Sequence, residues 1–379
     1  MIDLADTGIA RTRRTLFSSA KLLSVLNLDG PLLVGLALLA LYGLAILYSA
    51  SGQSLDTVIR TIMRMALGVA AMLALTHASP NFLRRISPWI YVIGVLLLLI
   101  VEVTGVIGKG AQRWLNLGIM RFQPSEIMKL GVPMLAAWYL HDRPLPPDWK
   151  SLLMVAVIIF LPVGLVAIEP DLGTAALIAA SGALMILMAG LSMRIVLALM
   201  VLGVGAAFAG WHVLHDYQRQ RVLTFLNPQN DPLGAGYHII QSQIALGSGG
   251  VFGKGWMHGS QAQLQFLPER STDFIFAVVG EEFGLIGLLF LLALYLFIVS
   301  RAVWLAMQTN DTYSRLLALS IALTFFVYVF INAGMVSGLV PVVGVPLPLV
   351  SYGGTSVVTL LAGFGILMGL YSHRKLVGS

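Results

Sequence analysis

The feature that most constrains this chain is its succession of long apolar runs. A helix needs about 20 consecutive apolar residues to cross a bilayer. Ten stretches approach or reach that length: 31–51, 57–77, 86–105, 124–140, 151–169, 172–190, 193–213, 273–300, 314–338 and 347–371. Charged residues make up only 11% of the chain and hydrophobic residues 58%, where a soluble domain carries about a quarter charged. The pattern predicts an all-α polytopic integral membrane protein of about ten transmembrane helices. Met1 to Asp29 is polar and basic, too long and too weakly apolar for a cleaved signal peptide. The expected organisation is a cytoplasmic segment 1–30, one membrane domain over 31–372 and a cytoplasmic tail 373–379.

Basic residues orient the spans. With the N-terminus inside, the cytoplasmic segments carry Arg11, Arg13, Arg14, Lys21, Arg84, Arg85, Arg143, Lys150, Arg194, Arg301, Arg315, Arg374 and Lys375. The outer segments carry Lys109, Arg113, Arg121, Arg219, Arg221, Lys254 and Arg270. The last four of these lie in one long connection, which the rule largely ignores. Both termini are therefore expected in the cytoplasm. An isoelectric point near 9.6 is assigned to the membrane surface, since no nucleic-acid module is present. The absence of cysteine excludes disulfides, thiolate metal sites and cysteine nucleophiles.

Two outer segments stand out. The connection 215–272 is too long for a plain loop and reads as partly folded and functional. Within it, "YHIIQSQIALGSG" has helical spacing and suits an interfacial helix, and "GSGGVFGKGW" is a glycine-rich turn ending in Trp256, an interface anchor. The second is "GLVPVVGVPLPLVSYGG", 338–354, whose prolines disfavour a continuous helix. It reads either as a kinked connection or as the wall of an outward-facing pocket, because irregular backbone at membrane depth survives only against protein or a cavity.

Charges inside spans are costly and face a partner or a wet cavity. They are Arg60, Arg64, Glu102, Glu126, Lys129, Asp273, Glu281 and Glu282, with Glu169 and Asp171 between the fifth and sixth spans. By the expected topology nearly all lie in the outer half, which predicts a polar chamber open to the outside. Glu126 and Lys129 are three apart and share a helix face. They read as a salt bridge that brings both charges into the membrane, as a substrate contact, or as both. Asp273 follows Ser271 and Thr272, good N-cap types, and opens a long apolar helix. It reads as a capping acid or, because Ala277, Gly280 and Gly284 lie within about 40° of it on a helical wheel, as an acid on a packed interior face. Glu281 lies about 12 Å deeper and about 80° around, so the carboxylates do not form a paired acid/base dyad. Arg60 and Arg64 have no evident role in the sequence.

Several motifs fail. "SGGVFGKG" misses a phosphate-binding loop, with Ser248 at the first glycine and Gly255 after Lys254. No GxSxG or HExxH occurs. His212 and His215 lack a third ligand and read as interface histidines.

The chain resembles the SEDS family (shape, elongation, division and sporulation). The resemblance rests on "GAQRWLNLGIMRFQPSEIMKL", "EPDLGTA", "GYHIIQSQIALGSGGVFGKGW", "FLPERSTDFIFAVVGEEFG" and "PLPLVSYGGTS". The short N-terminus and "LPERSTDFIF" are closer to the rod-shape branch than to the division branch. The resemblance implies a ten-helix peptidoglycan glycosyltransferase in the bacterial cytoplasmic (inner) membrane, polymerising lipid II at the outer face. It implies a class B penicillin-binding protein and other elongation-complex proteins as partners, besides membrane lipids. It also implies that Asp273 is the essential aspartate and that Glu126 and Lys129 are the family's Glu–Lys pair. Glu281, Glu169 and Asp171 are supporting acid/base or positioning candidates. Arg113, Arg121, Lys254, Arg270, Arg219 and Arg221 are candidates for holding a pyrophosphate. The family suggests a divalent cation, Mg2+ or Mn2+, whose ligands the sequence does not assign. The rival readings are a flippase or transporter of a lipid-linked precursor, a silent scaffold, and the division-specific role.

Overall fold

In the computed structural model, residues 26–374 are described, apart from 109–110, 117–120, 192, 194, 199–200, 202–204, 206–218, 220–222, 226 and 232–233. The helices are α1 (Gly30–Ala50), α2 (Leu55–Leu75), α3 (Pro80–Thr104), α4 (Ser125–Leu140), α5 (Trp149–Ile168), α6 (Leu172–Met188), α7 (Ala235–Ser248), α8 (Ser260–Gln263), α9 (Ile275–Met307), α10 (Thr312–Ser337) and α11 (Ser356–His373). Each expected run other than 193–213 coincides with a helix, and 193–213 lies largely outside the described residues. Among the described residues, seven helices are long and apolar enough to cross a membrane.

Local chemistry sets the boundaries. Asp29, Ser54, Ser79, Asp148, Asp171 and Asp311 cap α1, α2, α3, α5, α6 and α10, each accepting an N–H from the first turn. Such caps contribute about 1 kcal/mol each. The cap at Ser79, with Pro80 in the first turn, starts α3 at Pro80, earlier than the apolar run suggested. α11 starts at Ser356 because "PLPLVSYGG" keeps an irregular path.

α10 and α11 form the centre of the bundle, each with 67% of its most apolar stretch buried in protein. Large apolar side chains elsewhere point outward, such as Leu41 at 66%, Phe160 at 64% and Leu296 at 64% exposure. In water such a surface would drive association. Here it is the lipid-facing coat of a multi-pass membrane protein.

Three features correct the sequence reading. The chain is not all helix: β1 (Val106–Gly108), β2 (Ala111–Asn116) and β3 (Arg121–Phe122) form a small antiparallel sheet in the order β1-β2-β3. Asp273 and the residues before it do not cap a helix, since α9 begins at Ile275 with Phe274 in the cap position. Finally, α9 is broken at Gly284, which adopts φ 64°, ψ −159°. There the glycine-rich turn docks by backbone pairing. Leu285 and Ile286 donate to the carbonyls of Gly250 and Val251, while Lys254 and Gly255 donate to those of Glu281 and Glu282. A Cβ on Gly284 would meet the Gly253 nitrogen at 2.4 Å, so no larger residue fits the break.

Candidate active site

One end of the bundle holds a cavity of about 440 Å³. Five segments build it: the β2 strand, the N-terminal turns of α4 and α6, the turn before α9, and the irregular stretch before α11. Of the charged residues expected at the outer end, Arg113, Glu126, Lys129, Asp171 and Asp273 all line it.

Glu126 and Lys129 are buried on α4 and close at 2.7 Å between Oε1 and Nζ. The ammonium also sits 5.2 Å from the centre of the Tyr328 ring. The second carboxylate oxygen, Oε2, is buried with no hydrogen-bond partner. A buried charge keeps its ionisation only when paired, so each member of this pair licenses the other.

Asp171 does two jobs. It caps α6 through the Thr174 N–H at 3.2 Å and accepts from Gln123 Nε2 at 2.8 Å. Arg113 Nη1 lies 3.5 Å from its Oδ2, and Arg113 Nη2 donates to the Pro170 carbonyl at 3.2 Å. Glu169, two residues earlier, is buried behind this group with neither carboxylate oxygen hydrogen-bonded. Burial pushes its carboxyl up to about 8, with Asp171 and Glu102 adding to the rise and Arg113 opposing it.

Asp273 sits in the turn before α9. Asn332 Nδ2 donates to its main-chain carbonyl at 2.8 Å and to that of Val345 at 2.7 Å. Next door, Tyr352 N–H donates to the Ser271 carbonyl at 2.8 Å, and the Ser351 hydroxyl donates to that of Thr272. Gly344, at φ 72°, faces the carboxylate: a Cβ there would stand 3.4 Å from Asp273 Oδ2. The proline-rich stretch is thus a wall laced to the Asp273 turn. Of its two sequence readings, cavity wall is the one observed.

The remaining candidates lie elsewhere. Glu281 is fully buried beside the break in α9 and accepts from Lys254 Nζ at 2.7 Å, the Ser260 hydroxyl at 3.2 Å and the N–H groups of Gln261 and Ala262. The Lys254–Glu281 pair therefore fastens the glycine-rich turn and α8. Trp256 donates to the Ala45 carbonyl at 3.1 Å, tying the same turn to α1. Arg270 leaves Nη1 buried and unpartnered and, like Arg219, is not among the described lining residues. The Arg121 side chain, Arg221, His212 and His215 lie outside what is described. Arg60 pairs with Asp56 at 2.8 Å on an exposed face. Sequence reasoning missed Gln123, Trp114 and Tyr352 at the cavity. The stretch "AQRWLN" has no period-two alternation of apolar and polar residues, so no strand signal in the sequence points to Trp114.

A sequence profile of the FtsW/RodA/SpoVE cell cycle proteins matches residues 31–376. The chain belongs to this family, the SEDS proteins. It is 49% identical over 352 residues to the peptidoglycan glycosyltransferase MrdB of Escherichia coli K12, covering 93% of this chain and 95% of that one. Among solved structures it is similar to a chain of a peptidoglycan synthase complex that coordinates polymerization and crosslinking, with TM-score 0.81, 31% identity and coverage of 91% and 98%. It is similar also to the rod shape determining protein RodA of Thermus thermophilus, with TM-score 0.69, 28% identity and coverage of 91% and 97%.

Proposed function

We propose that this protein is a peptidoglycan glycosyltransferase. It polymerises lipid II into β-1,4 glycan strands during elongation, at the outer face of the bacterial cytoplasmic membrane. The observation that carries the reading is the convergence of Asp273, the Glu126–Lys129 pair and Arg113 on one cavity at the end of an apolar bundle. A lipid-linked sugar needs that combination: bilayer for its tail and a polar chamber for its head. The relationship to MrdB supports the activity, and the likeness to a rod shape determining protein supports the elongation role. The likeness to a chain of a synthase complex supports a class B penicillin-binding partner.

In the proposed reaction, the 4-hydroxyl of one sugar attacks C1 of another. A C1–O bond forms with inversion, and the bond from C1 to the diphosphate breaks. The Asp273 carboxylate accepts the hydroxyl proton. Undecaprenyl pyrophosphate leaves with the electron pair, and fixed positive charge in the cavity offsets its growing negative charge. Arg113, held to Asp171 by the looser 3.5 Å contact, is better suited to this than Lys129, which Glu126 already neutralises at 2.7 Å. Among the described residues no three carboxylate or histidine side chains come together as metal ligands. The described donor set builds no such centre, and Mg2+ or Mn2+ in this reading is carried on the substrate diphosphate.

The test is polymerisation by the purified complex with a class B penicillin-binding protein, given lipid II and divalent cation. Glycan ladders on a gel support the reading. Intact, membrane-embedded lipid II with no polymer contradicts it.

A further inference from the structure

Arg64 poses a physical problem. It lies in α2 nine residues past Leu55, about 13 Å along the helix. Its neighbours Met63 and Leu67 are 59% and 48% exposed on the lipid-facing side. A guanidinium in that setting is expensive, and among the described residues no carboxylate forms an ion pair with it. Instead Nη1 donates to the Gly353 carbonyl at 3.2 Å, and the guanidinium lies 4.7 Å from the centre of the Tyr352 ring.

Both partners line the cavity, and Tyr352 is in turn bonded through its N–H to the Ser271 carbonyl, two residues from Asp273. No residue of α2 is itself among the described lining residues. The charge on α2 therefore reaches the cavity only through this wall. Packing alone would be served by an apolar residue, as it is one turn deeper, where Gly68 lets α11 approach closely.

We propose that Arg64 is a positioning residue for the cavity. It clamps the Tyr352–Gly353 turn by a cation–π contact and a charge-assisted hydrogen bond. Through the Ser271 and Thr272 carbonyls, this clamp sets where Asp273 meets the acceptor sugar. The inference rests on the glycosyltransferase reading, which polymerisation by the wild-type complex tests separately.

The experiment is steady-state polymerisation by the wild-type complex and by Arg64→Gln, Arg64→Lys, Tyr352→Phe, Tyr352→Leu and the Arg64→Gln/Tyr352→Leu double variant, over a range of lipid II concentrations. Loss of a desolvated cation–π contact predicts kcat down about tenfold in Arg64→Gln and in Tyr352→Leu, with KM changed less than about twofold. Arg64→Lys and Tyr352→Phe, which keep a cation and a ring, should retain most of the rate. The double variant should be no slower than either single, because the two groups act as a unit. Wild-type kcat in Arg64→Gln overturns the proposal. So does an increase in KM with kcat unchanged, which would mean direct contact with substrate, or a double variant whose losses multiply. If Arg64→Gln fails to accumulate, Tyr352→Leu against Tyr352→Phe carries the same comparison, and equal rates in those two overturn it.

Discussion

Asn332, on α10, donates from one amide nitrogen to the main-chain carbonyl of Asp273 at 2.8 Å and to that of Val345 at 2.7 Å. One buried side chain thus joins the turn that carries the acid to the adjoining proline-rich wall of the cavity. Replacing it with leucine leaves two carbonyls without donors, each costing about 1–3 kcal/mol if it stays dry. Asn332→Leu is expected to lower kcat for polymerisation at least about tenfold while lipid II binding is retained. Steady-state kinetics beside a lipid II binding assay check this, and unchanged kcat would show that the turn holds its position without Asn332.

The Glu126–Lys129 pair predicts an asymmetry. Removing one partner strands a buried charge and costs about 3–5 kcal/mol, whereas removing both charges with side chains of similar shape is milder. In detergent, Lys129→Met should unfold at a lower temperature than the Glu126→Gln/Lys129→Met double variant. Equal or additive losses would mean that water reaches the pair.

Glu281 makes the contrasting case. Its four donors belong to the glycine-rich turn and α8, away from the cavity lining. Glu281→Gln should lose thermal stability by about 1–3 kcal/mol while the folded fraction polymerises at close to the wild-type rate. A variant of normal stability and no activity would return Glu281 to the catalytic group.

Glu169 predicts a pH dependence of stability. Its carboxyl is raised from an ordinary 4.5 to about 8 in the fold, so the folded state holds a proton that the unfolded chain releases. Stability from this group is full below about pH 4.5 and declines as pH rises toward 8. Thermal unfolding of the wild type between those limits should show that decline. Glu169→Gln should lack it and be the more stable protein at pH 8, and parallel profiles for the two would contradict the assignment.

The helices were legible because length and apolarity alone decide whether a segment crosses a bilayer. The cavity was legible in part because charges inside spans are so costly that their shared end of the bundle is informative. Asp273, Glu126 and Lys129 are found that way, Asp171 comes from the link between the fifth and sixth spans and Arg113 from an outer segment, and all five line the cavity. Glu281 was grouped with them because one helix carries both it and Asp273, yet its donors come from a turn far back in the chain. The break at Gly284 was invisible for the same reason, since the hydrophobic run continues through it and only long-range backbone pairing reveals it. Arg64 had no sequence partner because what it touches is a carbonyl and a ring almost 290 residues away.

The central claim is that Asp273 accepts the proton of the attacking hydroxyl. The most direct test is single-turnover glycan formation by the complex with saturating lipid II, comparing wild type with Asp273→Asn and Asp273→Ala, each checked for partner binding and lipid II binding. Both variants are expected to bind substrate and partner and to lose the chemical step by about a hundredfold or more. Polymer from Asp273→Ala at a rate near wild type would contradict the account and leave Asp273 as a residue of the turn alone.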